Sequence, residues 1–262
     1  MSVKRIQSRD NPLFKSLLKL SNSAKERRAR RQALLDGPHL IEAYGASGGR
    51  VESLIASESG LQRAEIARLF ETTPAVSKVV LTDRLFQNIA AVVTPSGIVA
   101  LIATPVHEQG PPSDETCLLL EGIQDAGNVG SVLRTAAAAG VRNVLLSKGC
   151  AFVWSAKVLR AGMGAHFGLK LYESAPLVEF AQAFEGEVIV TDLQAERSLY
   201  ELDLRGPVTW VFGSEGAGVT PDLAACATTR IRIPMPGGTE SLNVAAAAAV
   251  CLYEQVRQTL NA

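Results

Sequence analysis

Cys117-Leu118-Leu119-Leu120-Glu121-Gly122-Ile123, then Asp125-Ala126-Gly127-Asn128-Val129-Gly130 running into Arg134-Thr135-Ala136, is where the architecture of this chain becomes legible. A short apolar run, a glycine-bearing turn and a helical pattern together open an α/β unit. Further Val/Leu/Ile-rich runs follow at 144–147, 169–173, 187–192, 208–213 and 230–234, with helical patterns between them. Six such runs alternating with helices predict a mostly parallel sheet covered on both faces. The stretch 242–258 is alanine-rich and apolar nearly all round as far as Val250, which predicts a largely buried helix.

Upstream, Thr104 to Asp114 reads TPVHEQGPPSD, with three prolines and a glycine, as exposed linkers do. This divides the chain into a domain at 1–105, a linker at 106–114 and a domain at 115–262. In the first domain, Asn11 and Pro12 mark a helix start, and the pattern predicts one helix over 11–36 with Leu13, Leu17, Leu18 and Leu20 on its apolar side. Strands at 51–56, 78–82 and 98–103 and a helix at 61–70 complete a smaller α/β domain.

The 262 residues are 47% apolar and 20% charged, ordinary for a chain that buries a sizeable core. No apolar run reaches the roughly 18 residues of a membrane span, and no secretory h-region follows Asp10, so a cytoplasmic location is expected. Cys117, Cys150, Cys226 and Cys251 form no C-x-x-C pair, and His39, His107 and His166 do not cluster, so neither a metal site nor a disulfide framework is indicated. The four cysteines read as small core residues rather than nucleophiles.

The formal net charge of zero conceals an asymmetry: residues 1–32 hold ten Lys/Arg against two acids, leaving 16 bases against 24 acids in the rest. A basic front end suits an anionic partner, nucleic acid before membrane, the alternative being a solvated helix face. The candidates for phosphate contact are Lys15, Lys19, Lys25, Arg27, Arg28, Arg30 and Arg31. With aromatics at 5% and only Phe14 nearby, backbone or shape recognition of folded RNA is expected over base stacking.

In an open α/β sheet, ligands gather just past the carboxyl ends of the strands. Three segments stand there: 125–136; Phe212-Gly213-Ser214-Glu215-Gly216-Ala217-Gly218; and Ile233-Pro234-Met235-Pro236-Gly237-Gly238 with Ser241-Leu242-Asn243. Their glycines permit close backbone approach and the helix starts offer free amide donors, although glycine after a strand is also ordinary turn punctuation. The first loop is not G-x-G-x-x-G, no G-x-x-x-x-G-K-[ST] occurs, and Ser214 directly follows Gly213, so dinucleotide, P-loop and nucleophile-elbow signatures are all missing.

Taken in order, N-x-G-x-x-x-R-T-A, F-G-x-E-G-x-G and I-P-M-x-G-x-x-x-S-L-N-V resemble the SpoU (TrmH) family of S-adenosylmethionine-dependent RNA 2'-O-ribose methyltransferases, within the SPOUT superfamily. The resemblance covers about 115–262, and Ser155-Ala156-Lys157-Val158-Leu159-Arg160-Ala161 is similar to a fourth family segment. More loosely, 8–20 and Leu35-Asp36-Gly37-Pro38-His39-Leu40 resemble the family's ribosomal-protein-like α/β RNA-binding domain. The resemblance implies a C-terminal trefoil knot, an exception to the rule against threaded chains, and homodimers packed through the methyltransferase domains. It implies S-adenosylmethionine contacts at Gly213, Ile233, Met235 and Leu242, with Asn243 close by. The catalytic set it implies is Asn128, Arg134, Glu215, Ser241 and Asn243, with Lys157 and Arg160 added to the RNA contacts. Ala126 and Ala156 replace frequent family prolines, which alters loop stiffness more than chemistry.

By the same resemblance Arg134 acts on the ribose hydroxyl. A guanidinium stays protonated, so the expected role is a fork onto the adjacent phosphate that stabilises developing alkoxide, the proton leaving through water or another group. Asn128 is expected to orient Arg134 or the ribose, and Glu215 to hold Arg134 or shape the donor loop; otherwise they are a turn asparagine and a helix-start carboxylate. Ribosomal RNA is the expected substrate, with transfer RNA the alternative within the class. Outside it stand a non-catalytic RNA-binding or ribosome-assembly protein and an enzyme for a small nucleotide.

Overall fold

The computed structural model describes residues 3–90, 94–107 and 109–260, so Glu108 of the expected linker lies outside the described residues. The strands, along the chain, are β1 (Val3–Ile6), β2 (Gln32–Asp36), β3 (Val51–Ser57), β4 (Ala75–Leu81), β5 (Ile98–Ala103), β6 (Cys117–Leu120), β7 (Asn143–Leu146), β8 (Lys170–Glu173), β9 (Glu187–Thr191), β10 (Val208–Phe212) and β11 (Thr229–Ile231). The helices are α1 (Pro12–Asn22), α2 (Ala24–Arg30), α3 (Pro38–Ala46), α4 (Ala64–Thr72), α5 (Asp83–Ile89), α6 (Ala126–Ala138), α7 (Ala156–Gly162), α8 (Leu177–Ala183), α9 (Pro221–Ala224) and α10 (Val244–Leu260). The chain forms two compact units, one of Met1–Val106 with Trp154–Phe167, the other of His107–Val153 with Gly168–Ala262.

The first unit carries a five-stranded mixed sheet in the order β1-β4-β3-β5-β2. Phe14, Leu17 and Leu20 of α1 pack with Ile55, Leu81 and Phe86 in its core. The single helix expected over 11–36 is instead two helices and a strand. Ser23 leaves the helical region at φ −132 and caps α2 by accepting from the amide of Glu26 at 3.2 Å. Arg31, in the left-handed region at φ 52, ends α2 by donating its amide to the carbonyls of Arg27 and Arg28. Beyond it Ala33 and Leu35 are buried between half-buried neighbours, a period of two, and β2 pairs antiparallel with β5. α7 also belongs to this unit, burying Val158 and Leu159.

The second unit is an all-parallel six-stranded sheet in the order β11-β9-β10-β6-β7-β8. From β6 the chain runs outward through β7 and β8, then returns on the other side to place β10 against β6. That reversal puts a topological switch point between β6 and β10, where crevices form beyond the carboxyl ends. β6, β7 and β10 are buried at every position. The largely buried helix expected over 242–258 is buried along one side only: Val244, Ala248, Cys251 and Leu252 are buried, whereas Ala246 is exposed and Tyr253 is 50% exposed. Trp210 of β10, fully buried, donates Nε1–H to Gln255 Oε1 at 2.8 Å and so ties α10 to the central strand.

Candidate active site

Each of the three glycine loops lies beyond a strand end of the second unit, and one polar side chain from each meets the others. Asp125 caps α6 by accepting from the amide of Asn128 at 2.9 Å, which fixes Asn128 in the first helical turn. Asn128 Nδ2 donates to Glu215 Oε1 at 2.6 Å. Asn243 Nδ2 donates both to Asn128 Oδ1 at 3.0 Å and to Glu215 Oε1 at 2.9 Å, and Asn243 Oδ1 accepts from the amide of Ala245 at 3.0 Å, at the start of α10. Residues 87 and 28 positions apart in sequence thus close a triangle through a single carboxylate oxygen.

The second loop is held in a tight ring. Ser214 and Gly218 exchange backbone hydrogen bonds of 3.1 and 2.8 Å, and a Cβ at Gly213 would lie 2.1 Å from the carbonyl carbon of Gly218. Glu121, directly after β6, anchors the far end of this loop: its two carboxylate oxygens accept from the amide and the hydroxyl of Thr220, both at 2.8 Å. Beside the ring lies a cavity of about 330 Å³ bordered by Gly213, Glu215, Ile233, Met235, Leu242 and Asn243. Its volume is at the lower end of small-molecule sites, and apolar side chains with a few polar groups are the usual lining of such a site.

Every residue expected to hold S-adenosylmethionine borders this cavity, as do Glu215, Ser241 and Asn243 of the expected catalytic set. Asn128 joins through the triangle. Arg134 does not: six residues along α6 from Asn128, its exposed side chain forms no hydrogen bond or ion pair among the described residues. Glu215 is therefore held by two amides and not by Arg134. Sequence reasoning missed Thr191, the last residue of β9, with Asp192 and Leu193 after it, which border the same cavity, and Glu121. Their one signal was position at or just past a strand end.

The basic residues of the first unit are unequal. Lys19, Lys25, Arg28 and Arg31 are exposed, and so are Lys157 and Arg160 on α7. Lys15 pairs with Asp10 at 2.8 Å, and Arg30 with Glu26 at 2.9 Å and with Ser16 Oγ at 2.6 Å. Arg27 donates Nη1–H to the carbonyls of Leu20 and Ser21, closing the end of α1, and its burial pulls the guanidinium pKa down. The thiols of Cys117 and Cys251 are pushed up to about 12 by burial, which leaves them protonated and inert at neutral pH. Among the described residues no group of three or more His, Cys, Asp or Glu could hold a metal, and no helix is long and apolar enough to cross a membrane.

A parallel sheet reversing at its centre, with three loops converging on one cavity, defines a doubly wound α/β protein whose ligand site lies at the switch point. Residues 115–253 match the SpoU rRNA Methylase family, and residues 11–100 match an MRM3-like substrate binding domain. The chain belongs to the SpoU family of S-adenosylmethionine-dependent RNA 2'-O-ribose methyltransferases. It is 34% identical over 260 residues, 98% of this chain and 94% of the other, to an uncharacterized tRNA/rRNA methyltransferase of Synechocystis. It is 31% identical over 253 residues, 96% and 98% of the two chains, to the 23S rRNA (guanosine(2553)-2'-O)-methyltransferase RlmP of Bacillus subtilis. Among solved structures, an RNA 2'-O ribose methyltransferase is similar with a TM-score of 0.82 at 31% identity, covering 98% of this chain and 99% of that one. An AdoMet-bound rRNA methyltransferase from Sinorhizobium meliloti also gives 0.82, at 25% identity and 97% and 98% coverage.

Proposed function

We propose that this chain transfers a methyl group from S-adenosylmethionine to a ribose 2'-hydroxyl of ribosomal RNA, at the cavity beside Gly213. The triangle of Asn128, Glu215 and Asn243 at the cavity's edge carries the reading, because it joins all three loops at one place where a hydroxyl could meet a donor. S-adenosylmethionine supplies an electrophilic methyl group and leaves as a neutral thioether. Ile233, Met235 and Leu242 offer the nucleoside an apolar wall, and the ring at Gly213 lets backbone approach it closely. Arg134, uncommitted among the described residues, forks onto the phosphate beside the target ribose, a geometry that two parallel N–H donors supply and an ammonium does not.

The first unit, with its exposed bases, holds the RNA, and Lys157 and Arg160 add to that surface. The name of RlmP supports the large-subunit RNA and a guanosine as target. A homodimer through the methyltransferase unit completes the reading, supported by the outward side of α10 with Tyr253 half exposed. A cytoplasmic location goes with this reading, supported by the likeness to a bacterial 23S rRNA methyltransferase.

The test incubates the purified protein with radiolabelled S-adenosylmethionine and total RNA from cells lacking the gene, then separates the RNA by size and maps the label with nucleases. A single labelled 2'-O-methylnucleotide in the large ribosomal RNA is the expected result. Label in transfer RNA moves the substrate, and no label on any RNA fails the reading. Arg134→Lys is expected to transfer at least about 100-fold more slowly, and a near-full rate would refute the fork.

A further inference from the structure

Methylation of a hydroxyl needs somewhere for its proton to go, and Arg134 cannot take it, since a guanidinium stays protonated at any working pH. The polar side chains that border the cavity narrow the choice. Ser214, Ser241, Asn243 and Thr191 carry no basic group at neutral pH, and Arg232 is a cation whose Nη1 donates to the carbonyls of Ala195 and Glu196. Two carboxylates remain, Asp192 and Glu215. Asp192 is committed on both sides, accepting the amide of Gln194 at 2.9 Å through Oδ1 and pairing with Arg230 at 3.7 Å through Oδ2. Glu215 is different. Its Oε1 takes both amide donors, from Asn128 and Asn243, while Oε2 makes no hydrogen bond or ion pair among the described residues.

We infer that Glu215 is the proton acceptor of the reaction, receiving the ribose 2'-hydroxyl proton on Oε2 while the two amides hold the carboxylate in place by Oε1. The assignment rests on the reading of the site given above. The 2'-O–H bond breaks as its proton passes to Oε2, the oxygen's electron pair closes the new O–C bond, and the C–S pair stays on sulfur. Glu215 then returns the proton to water. Asn128 and Asn243 act as positioning residues, since they aim an acceptor and touch no reacting atom through it. Arg134 keeps the separate task of holding the phosphate.

Glu215→Gln separates this role from a structural one, because the glutamine carbonyl can still accept from both amides while its NH₂ replaces Oε2. We expect the variant to bind S-adenosylhomocysteine in calorimetry within about threefold of the wild type and to methylate RNA in a single turnover at least about 100-fold more slowly. In Glu215→Ala, which opens space at the same point, added formate is expected to restore the rate about tenfold or more in proportion to its concentration. Single-turnover rates for Glu215→Gln close to the wild type's would overturn the inference. So would a slow variant that has also lost S-adenosylhomocysteine, because Glu215 would then be serving the loop. A wild-type chain that binds the thioether but labels no RNA defeats the functional reading itself, a result distinct from the other two.

Discussion

At Gly213 the ring that faces the cavity closes so tightly that no side chain fits: the first atom of one would sit 2.1 Å from the carbonyl carbon and oxygen of Gly218. Both atoms are backbone and the loop is closed by the reciprocal bonds of Ser214 and Gly218, so the clash is relieved only by opening the ring. Gly213→Ala is expected to cost about 2 kcal/mol of stability and to abolish detectable S-adenosylhomocysteine binding in calorimetry; intact binding would show that the ring does not shape the donor site. Glu121 acts on the other end of the same loop. Glu121→Ala leaves the amide and hydroxyl of Thr220 without their acceptor, so KM for S-adenosylmethionine is expected to rise about tenfold with kcat little changed. Glu121→Gln, which keeps one acceptor oxygen, should recover most of that loss. These two residues also mark the limit of what a sequence reveals. Gly213 stood inside a motif that resembles the family's donor loop, whereas Glu121 is one more acid at a strand end, and its partner lies 99 residues away in sequence. Such pairs are settled by topology, which no local pattern encodes.

Among the elements, α10 shows how an apparently uniform apolar helix is given one orientation. Its polar side chains near the C-terminus find specific partners: Gln255 meets Trp210, Gln258 accepts from the amide of Leu204 at 2.9 Å, and Glu254 pairs with Arg257 at 2.7 Å. Fixing the helix about its axis there also fixes Asn243 at its other end, where the triangle requires it. Hydrogen bonds from Arg257 hold the Glu254 carboxyl below its ordinary value of 4.5. A carboxylate whose folded-state pKa is depressed contributes stability above its unfolded value and loses it as the pH falls through the folded one. Glu254→Gln is therefore expected to be about 1 kcal/mol less stable than wild type at pH 7 and equal to it near pH 2, measured by urea unfolding; a difference that persists unchanged in acid would assign the effect to packing. In the second unit β6, β7 and β10 were legible in sequence because burial on both faces leaves nearly unbroken apolar runs, whereas β8, exposed or half-buried throughout, and β11, with only Ile231 buried, were read from their alternation with helices. β1 was not, since three of its four residues are exposed and only Ile6 is buried. β2 was absorbed into the preceding helix because Leu34 and Leu35 continue the leucine spacing of α1. The break falls at Ser23 and Arg31, whose capping hydrogen bonds decide it.

For the molecule as a whole, zero net charge is no obstacle to binding a polyanion when ten of its 26 bases fall in the first 32 residues. Binding to phosphates releases counterions, so the dependence of affinity on salt counts the bases that actually touch them. The structure divides the basic residues by what they already do. Arg27 is half-buried and spends its Nη1 on the end of α1, whereas Arg31 closes α2 through its backbone and leaves its side chain in solvent. Arg31→Ala is therefore expected to weaken RNA binding and lower the slope of log affinity against log salt by up to about 1, without changing the melting temperature. Arg27→Ala is expected to leave the slope alone and to lower the melting temperature by roughly 4–8 °C, as the carbonyls of Leu20 and Ser21 lose a charged donor. Filter binding at four or five salt concentrations, with thermal unfolding of each variant, separates the two. If Arg27→Ala lowered the slope while Arg31→Ala did not, the RNA would run along the inner side of α2, and the exposed bases would be a solvated face.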